Sequence, residues 1–457
     1  MSSGLDSRHA AYELLHQVGV EDAYANLALP SIIRNFRLDS RDAGFTTELA
    51  MGTLRWRGFL DSVIAQASDR AIERIDPPVR DVLRLGAYQI LFMRVPDHAA
   101  VSSAVDLVGI VKFRSAGGFV NATLRRVSES TLDEWREKVA GNIVDPLDRL
   151  AVLWSHARWQ VAALRDSLGE RKVEIESLLE TDNLSPDITG VSRNGDAGVD
   201  ALLASGGVPG RWSPMAVTLN RDPHEVSAIR EGVCGVQDEG SQLVALSLAS
   251  ATIAGSDHRW LDLCSGPGGK AALLKALAAT RGASLTAVEL QEHRARLVER
   301  ALEPVAGTHT VITADGRDEQ FATGDFDRVL VDAPCTGLGV LRRRAESRWR
   351  RVASDVPVLA KLQRQLLANA LKAVRPGGVV GYATCSPHLA ETEFVIEDIL
   401  EDFPGARLLD AAEVAAGIPG LRNAQDFSAV TGPGPYLRLW PHVHGTDGMF
   451  LALLTRD

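Results

Sequence analysis

The sequence predicts a multidomain chain: an all-α helical bundle over residues 1–140, a small α/β connecting module over 141–232, and a doubly wound α/β domain over 233–457. Three observations lead there. The 457 residues exceed the roughly 250–300 at which a single core stops growing. The first segment repeats apolar residues at helical spacing and lacks strand signals. From residue 233 onward, short apolar runs alternate with helical stretches, the pattern of a parallel sheet.

In the bundle, Ala10, Ala11, Leu14, Leu15 and Val18 share one helical face. So do Val79, Val82, Leu83, Ala87, Ile90 and Leu91, and again Ala100, Val101, Ala104, Val105 and Val108. Pro77 and Pro78 break the chain before the second of these, and Pro96 follows it. The connecting module holds a helix around Leu150–Leu164, a turn at Asn183–Pro186, short strands at Ile188–Val191 and Ala216–Leu219, and a glycine-rich loop at Ala204–Gly210. The third segment has strands at Trp260–Leu263, Leu285–Val288, Val311–Thr313, Val329–Val331 and Val379–Tyr382. Helices are predicted at Lys270–Leu277, His293–Leu302 and Leu359–Val374.

An apolar content of 45% and a charged content of 24% are those of an ordinary globular protein. No apolar run reaches the roughly 18 residues of a membrane span, and the start MSSGLDSRHAAYELL does not read as a secretory signal. The four cysteines, Cys234, Cys264, Cys335 and Cys385, are too scattered for a disulfide framework, and no Cys/His cluster points to a metal. The expected compartment is therefore a reducing cytoplasm. Nothing in the sequence demands more than a monomer. A net charge of −10 argues against a generic polyanion binder. Locally, however, Gly339–Arg351 sets six arginines, among them Arg342, Arg343, Arg344 and Arg348, against Glu346 alone.

Leu261–Lys270 reads LDLCSGPGGK, a strand followed by a glycine-rich turn and a helix start. Gly266, Gly268 and Gly269 permit close backbone approach to a ligand in front of helix-terminal N–H groups. A phosphate-binding P-loop is excluded, because Cys264 and Ala271 stand where Gly and Ser or Thr are required. Gly266-Pro-Gly268-Gly-Lys-Ala271 formally fits a dinucleotide fingerprint. The turn alone leaves a dinucleotide and S-adenosylmethionine equally open. Glu289, about 20 residues on at the next strand end, suits ribose hydroxyls.

Two further strand ends, DRVLVDAPCTGLG at Asp327–Gly339 and GYATCS at Gly381–Ser386, each put a cysteine at the rim where open α/β sheets bind ligands. Buried structural thiols are the alternative. A thiol pair suits methylation of cytosine, whose carbon 5 is a poor nucleophile. Thiolate addition at ring position 6 makes carbon 5 enamine-like. A carboxyl group such as Asp332 can assist at ring nitrogen 3, and a base must remove the carbon 5 proton before the thiol leaves. The base would have to be unstacked to enter.

The carboxy-terminal half resembles the RNA 5-methylcytosine methyltransferases, which use two cysteines. The match runs through Cys264–Lys270, Glu289 with Arg294, Asp315 in TADGRD, Asp332-Ala-Pro-Cys335 and Thr384-Cys385-Ser386. By that resemblance Cys385 is the nucleophile and Cys335 assists release of the methylated product. Cys264, Ser265, Gly266, Pro267, Gly268, Gly269, Lys270, Glu289, Arg294, Asp315 and Asp332 would contact S-adenosyl-L-methionine, with Asp332 also near the base. Tyr24-Ala-Asn-Leu-Ala-Leu, Thr47-Glu-Leu-Ala-Met-Gly-Thr-Leu-Arg55, Arg84-Leu-Gly-Ala-Tyr-Gln-Ile-Leu-Phe92 and Gly118-Phe-Val-Asn121-Ala-Thr-Leu-Arg125-Arg126 resemble a NusB-like domain. Val236-Gln-Asp238-Glu-Gly-Ser-Gln242-Leu and the end, Leu437–His442 to Asp447–Phe450, extend the likeness. The whole is similar to the bacterial small-subunit (16S) ribosomal RNA cytosine-5 methyltransferases of the RsmB (Sun, Fmu) type. That likeness implies a NusB-like bundle, an RRM-like connector, a Rossmann-type catalytic domain and a ribosomal RNA substrate. Two details depart from the family: Ser265-Gly266 stands where two alanines are usual, and the arginine segment lacks a proline common there.

The arginine segment, directly after Cys335, is expected to meet RNA phosphate through Arg342, Arg343, Arg344 and Arg348. Asn121, Arg125 and Arg126 are the expected contacts of the bundle. Trp349 either stacks a base or packs on the protein. Lys270 either orients the cofactor or is a plain helix-start lysine. His388 is expected to be a helix-start histidine, Cys234 structural, and Cys264 a backbone contributor. Three other functions compete: methylation of transfer RNA, a non-catalytic RNA-binding or antitermination factor, and a nicotinamide oxidoreductase favoured by the glycine pattern alone.

Overall fold

The computed structural model describes residues 3–432 and 434–457. It divides into two compact units, one comprising the chain up to Ser185 with Leu341–Val352, the other Pro186–Val340 with Ala353–Asp457.

The described residues of the first unit form helices and no strand. Its helices begin where the sequence offers caps: Asp39 accepts from the N–H of Asp42 ahead of Ser40–Arg55, and Thr131 with Glu134 forms a capping box ahead of Leu132–Ala140. Pro77 opens Pro77–Phe92. The predicted apolar faces are the buried ones. Ala10, Leu14, Val82, Leu83, Ala104 and Val108 join one core. Helices pack closely through small residues: a Cβ on Gly52 would lie 2.0 Å from the Tyr88 hydroxyl. The unit does not stop at residue 140. Pro146–Leu153, Arg158–Leu168 and Ile175–Thr181 continue it, burying Val161, Leu164, Leu178 and Leu179.

The second unit contains two sheets. Strands β1 (Thr189–Ser192), β2 (Val208–Pro209), β3 (Ala216–Thr218) and β4 (Cys234–Val236) form an antiparallel sheet in the order β2-β3-β1-β4. Helices Gly195–Ala204 and Ser227–Arg230 lie between β1 and β2 and between β3 and β4. This β-α-β-β-α-β order is the split βαβ topology expected of an RRM-like module. Because β4 pairs with β1, the module ends at Val236 rather than at residue 232.

The larger sheet is built from β5 (Arg259–Asp262), β6 (Ser284–Glu289), β7 (Thr308–Thr313), β8 (Phe326–Asp332), β9 (Val374–Thr384), β10 (Ala406–Leu409), β11 (Tyr436–Leu439) and β12 (Met449–Arg456). Its order is β10-β12-β9-β8-β5-β6-β7, with β11 also on β12. Strands β5 to β9 are parallel, as expected, but β12 runs antiparallel to β9, so the sheet is mixed. Alternate β8 residues enter opposite cores: Leu330 packs with Leu243 and Leu274, while Val329 and Val331 pack with Leu366 and Ile396. The chain moves outward from β5 to β7 and then returns to β8. The carboxyl ends of β5 and β8 therefore flank the topological switch point, where such sheets bind ligands.

Candidate active site

The turn after β5 is shaped by its glycines. Gly268 has φ 108° and caps the helix Gly269–Ala279; a Cβ there would meet Ala301 at 2.8 Å. A Cβ on Gly266 would meet the Glu289 carboxylate at 2.0 Å, whereas one on Gly269 meets nothing within 4 Å. The turn is thus pinned from below and open above the helix N-terminus. Glu289 is buried; its carboxylate accepts from the N–H of Gly266 at 3.1 Å and of Gln291 at 3.0 Å. Arg294 donates to the Gly266 carbonyl at 2.7 Å and so braces the turn. Ser265 bridges to β6 by donating its hydroxyl to the Val288 carbonyl. Cys264 contributes its backbone N–H, to Asp262 at 3.3 Å.

Carboxylates end the neighbouring strands. Asp262 ends β5, Glu289 ends β6, Asp315 follows β7 and Asp332 ends β8. Burial pushes the Cys264 thiol well up, and all four of these carboxylates push it further, so they converge on one place. Asp315 is gripped by Arg317, which holds its carboxyl below the ordinary range. Lys270 pairs with Asp332 at 2.9 Å and reaches Ser241 at 3.3 Å. Burial opposes its charge, but Asp332, together with Cys385 and Asp262, outweighs burial, and its affinity for a proton is raised. A rim of four acids around an open helix start suits a ligand that carries cationic groups and ribose hydroxyls, as S-adenosyl-L-methionine does.

Asp262 is the member that sequence reasoning missed. It is 1% exposed, and its Oδ2 has no hydrogen-bond partner among the described residues. Burial, then Asp332, pushes its carboxyl up to about 7. The signal was its place as the acid at a strand end, two residues before the cysteine of LDLC. In the folded chain it keeps its proton to about pH 7, while unfolded it releases it near 3.8. The Asp262 contribution to stability should therefore fall as pH rises from 4 to 7 and stay level above, against the opposite contribution of His156, which is held neutral down to about 4. Asp262→Asn should remove that fall and be the more stable form at pH 8, as read by urea unfolding across the range. An unchanged pH profile would contradict the assignment.

Strands β8 and β9 are neighbours with Asp332 opposite Ala383, so the loops after them leave side by side. They bring Cys335 and Cys385 together, Sγ to Sγ 3.4 Å. Both thiols are half-buried. Hydrogen bonding to Cys385, then burial, raises Cys335 well above the usual thiol range. The Gly339 N–H donates to the Cys385 carbonyl at 2.8 Å, and Gly448 donates to the Gly339 carbonyl at 2.7 Å, which explains the glycine of the Asp447–Phe450 motif. The other motif at Asp238 is structural in the same way: its carboxylate accepts from Gly240 and, at 2.9 Å, from Asp447.

The arginine segment behaves differently from expectation. Leu341–Val352 belongs to the helical unit, and Ala345 lies in its core. Arg348 is 0% and Arg342 6% exposed. Neither can reach a phosphate, because the segment that carries them is folded into the interior. Arg348 instead satisfies carbonyl groups of the bundle. Arg343 is half-buried; Arg344 is exposed, 5.6 Å from the Tyr24 ring. Trp349 packs on Gly58, where a Cβ would lie 2.5 Å away. Asn121 is half-buried, Arg125 is exposed, and exposed Arg126 pairs with Asp69. His388 caps a turn by accepting from Ala390 at 3.1 Å, and Cys234 is buried. Among the described residues no helix is long and apolar enough to cross a membrane, and no acidic or Cys/His group could hold a metal.

Residues 252–455 match the family described as 16S rRNA methyltransferase RsmB/F, and residues 5–129 match the NusB family. The Mycobacterium tuberculosis protein Rv1407 is 46% identical over 98% of this chain and 96% of its own length. The ribosomal RNA small subunit methyltransferase B of Pseudomonas putida is 34% identical over 99% of each chain. In the solved structures, that of PH0851 superimposes with a TM-score of 0.79 at 22% identity, covering 100% of this chain and 99% of that one, a likeness of fold. The chain belongs to the RsmB/F family of 16S rRNA methyltransferases, with a NusB family domain at its amino end.

Proposed function

We propose that this methyltransferase modifies carbon 5 of a cytosine in 16S ribosomal RNA through a covalent adduct on Cys385. The observation that carries the reading is the 3.4 Å pairing of Cys335 with Cys385 beside Asp332 and Lys270 at the sheet's switch point. S-adenosyl-L-methionine, when bound, supplies the electrophilic methyl group. Cys264–Lys270 with Glu289, Asp315 and Asp332 would hold it, Arg294 acting through the turn.

The Cys385 thiolate forms a bond to ring carbon 6, and the displaced electron pair makes carbon 5 nucleophilic. Lys270 faces the charge of that thiolate. Asp332, paired with Lys270, is assigned to ring nitrogen 3. After methylation, a base removes the carbon 5 proton. Those electrons restore the ring double bond, and the sulfur–carbon bond breaks to release Cys385. We assign the base to Cys335. The largest cause holding the Cys335 proton is its hydrogen bond to Cys385; once Cys385 is bonded to carbon 6 that bond is gone, and Cys335 releases its proton to solvent and takes the carbon 5 proton as the thiolate. Exposed Arg125, Arg126 and Arg344, with Asn121, are the proposed RNA contacts.

The test is methyl transfer from labelled S-adenosyl-L-methionine to unmodified 16S ribosomal RNA and, in parallel, to unmodified transfer RNA. Label recovered as 5-methylcytosine in 16S RNA is the expected result. Label in transfer RNA alone would overturn the substrate, and label on a ring nitrogen or ribose would overturn the chemistry.

A further inference from the structure

We propose that Glu391 is a positioning residue that clamps the two cysteine loops and sets the spacing of Cys335 and Cys385; this rests on the reading of those thiols as the reacting pair. Glu391 is 0% exposed. One carboxylate oxygen accepts from the Thr336 N–H at 2.8 Å and from Gln363 Nε2 at 3.2 Å. The other accepts from the hydroxyls of Thr336 at 2.5 Å and Ser386 at 2.6 Å, which are 3.0 Å from each other. Thr336 directly follows Cys335, and Ser386 directly follows Cys385.

The clamp is itself anchored. The Glu391 carbonyl accepts from Tyr382 of β9 at 2.7 Å, and Gln363 donates a further bond to the Pro334 carbonyl at 2.8 Å, on the other side of Cys335. A buried carboxylate is costly unless its lone pairs are satisfied, and here every partner named is a neutral donor from a cysteine loop or its support. A glutamine in its place offers one acceptor oxygen instead of two. A purely apolar filler would leave the Thr336 N–H and one of the two hydroxyl donors unpaired. The Glu391 charge also adds to the forces that keep Cys335 protonated. The side chain touches neither thiol in the contacts described, so its influence on the chemistry runs through loop position.

Spacing can be read without catalysis. In full-length protein, diamide oxidises two adjacent thiols to a disulfide and is itself reduced to the hydrazine; the Cys335–Cys385 peptide pair is then counted by mass spectrometry. Glu391→Ala should slow that cross-link at least about tenfold, and Glu391→Gln should fall between it and wild type, since displacement of about 1 Å is enough to cost on the order of 100-fold in oriented reactions. Affinity for S-adenosyl-L-methionine should stay within about twofold of wild type, while kcat falls further than KM rises and RNA adduct accumulates. If Glu391→Ala does not fold, Glu391→Gln carries the test. Folded variants that cross-link at the wild-type rate overturn the proposal. If instead the wild-type protein forms no RNA adduct, the cytosine chemistry fails while the cross-link still judges the clamp.

Discussion

Cys385→Ala should abolish methyl transfer and leave no covalent RNA adduct, whereas Cys335→Ala should leave an adduct that survives denaturing gels. The two thiols are 3.4 Å apart, yet they are asked for opposite acts. In the proposed mechanism Cys385 opens the sequence by forming a bond. Without it carbon 5 stays unactivated, and removal of a nucleophile typically costs at least about 10 000-fold. In the same proposal Cys335 closes the sequence by taking a proton, a contribution of about 100- to 10 000-fold for a positioned base. Its loss therefore slows a later step and lets the adduct build up. Both variants should bind S-adenosyl-L-methionine, because neither thiol belongs to the glycine turn. Normal turnover by Cys335→Ala, with no persistent adduct, would defeat this division of labour. Adduct formed by Cys385→Ala would reverse the roles.

What the sequence made legible was local. Strands β5 to β9 are short apolar runs with helices between them, and the glycine turn, Asp332, Cys335 and Cys385 all sit within a few residues of strand ends. Strand adjacency then brings those ends together without further information. What escaped was set by distant packing. Strand β12 inserts antiparallel between β9 and β10, a choice of edge and direction that its uniformly apolar run Met449–Leu454 does not encode. Glu391 draws its meaning from Thr336, Gln363 and Ser386, which lie on three separate segments. Asp262 passed as one residue within the predicted strand Trp260–Leu263, because a lone buried oxygen leaves no periodic trace. The six arginines of Gly339–Arg351 read as a phosphate surface because charge count carries no burial. Ala345 and Trp349, the residues that drive the segment inside, are too few to give an apolar period.

Arg348→Met should strip about 3–5 kcal/mol from the helical unit, the usual cost of leaving a buried charge uncompensated. The guanidinium is fully buried and donates to the carbonyls of Arg55 at 2.8 Å, Ser155 at 3.1 Å and Asp182 at 2.7 Å, and to the Asn183 side chain at 2.7 Å. Burial lowers its proton affinity only to about 10, so it stays charged at neutral pH. Its charge also interacts favourably with the Asp182 carboxylate, which is 1% exposed and has no hydrogen-bond partner among the described residues. His156 cannot replace it. Burial, then Arg348, pushes that imidazole down to about 4, and its ring stands 3.5 Å from Asp182 in the neutral form. The methionine variant would strand three carbonyls and one carboxylate at once. Lysine should not rescue it, because one ammonium cannot span the fork of acceptors that a guanidinium reaches. Adding Asp182→Asn to Arg348→Met should recover part of the loss, since the two groups share one network. Hydrogen exchange in Ser40–Arg55 and Arg158–Leu168 is the direct reading, because both helices lie in this unit. A loss under about 1 kcal/mol, the worth of a single exposed ion pair, would mean that the arginine is not what holds this segment in the bundle.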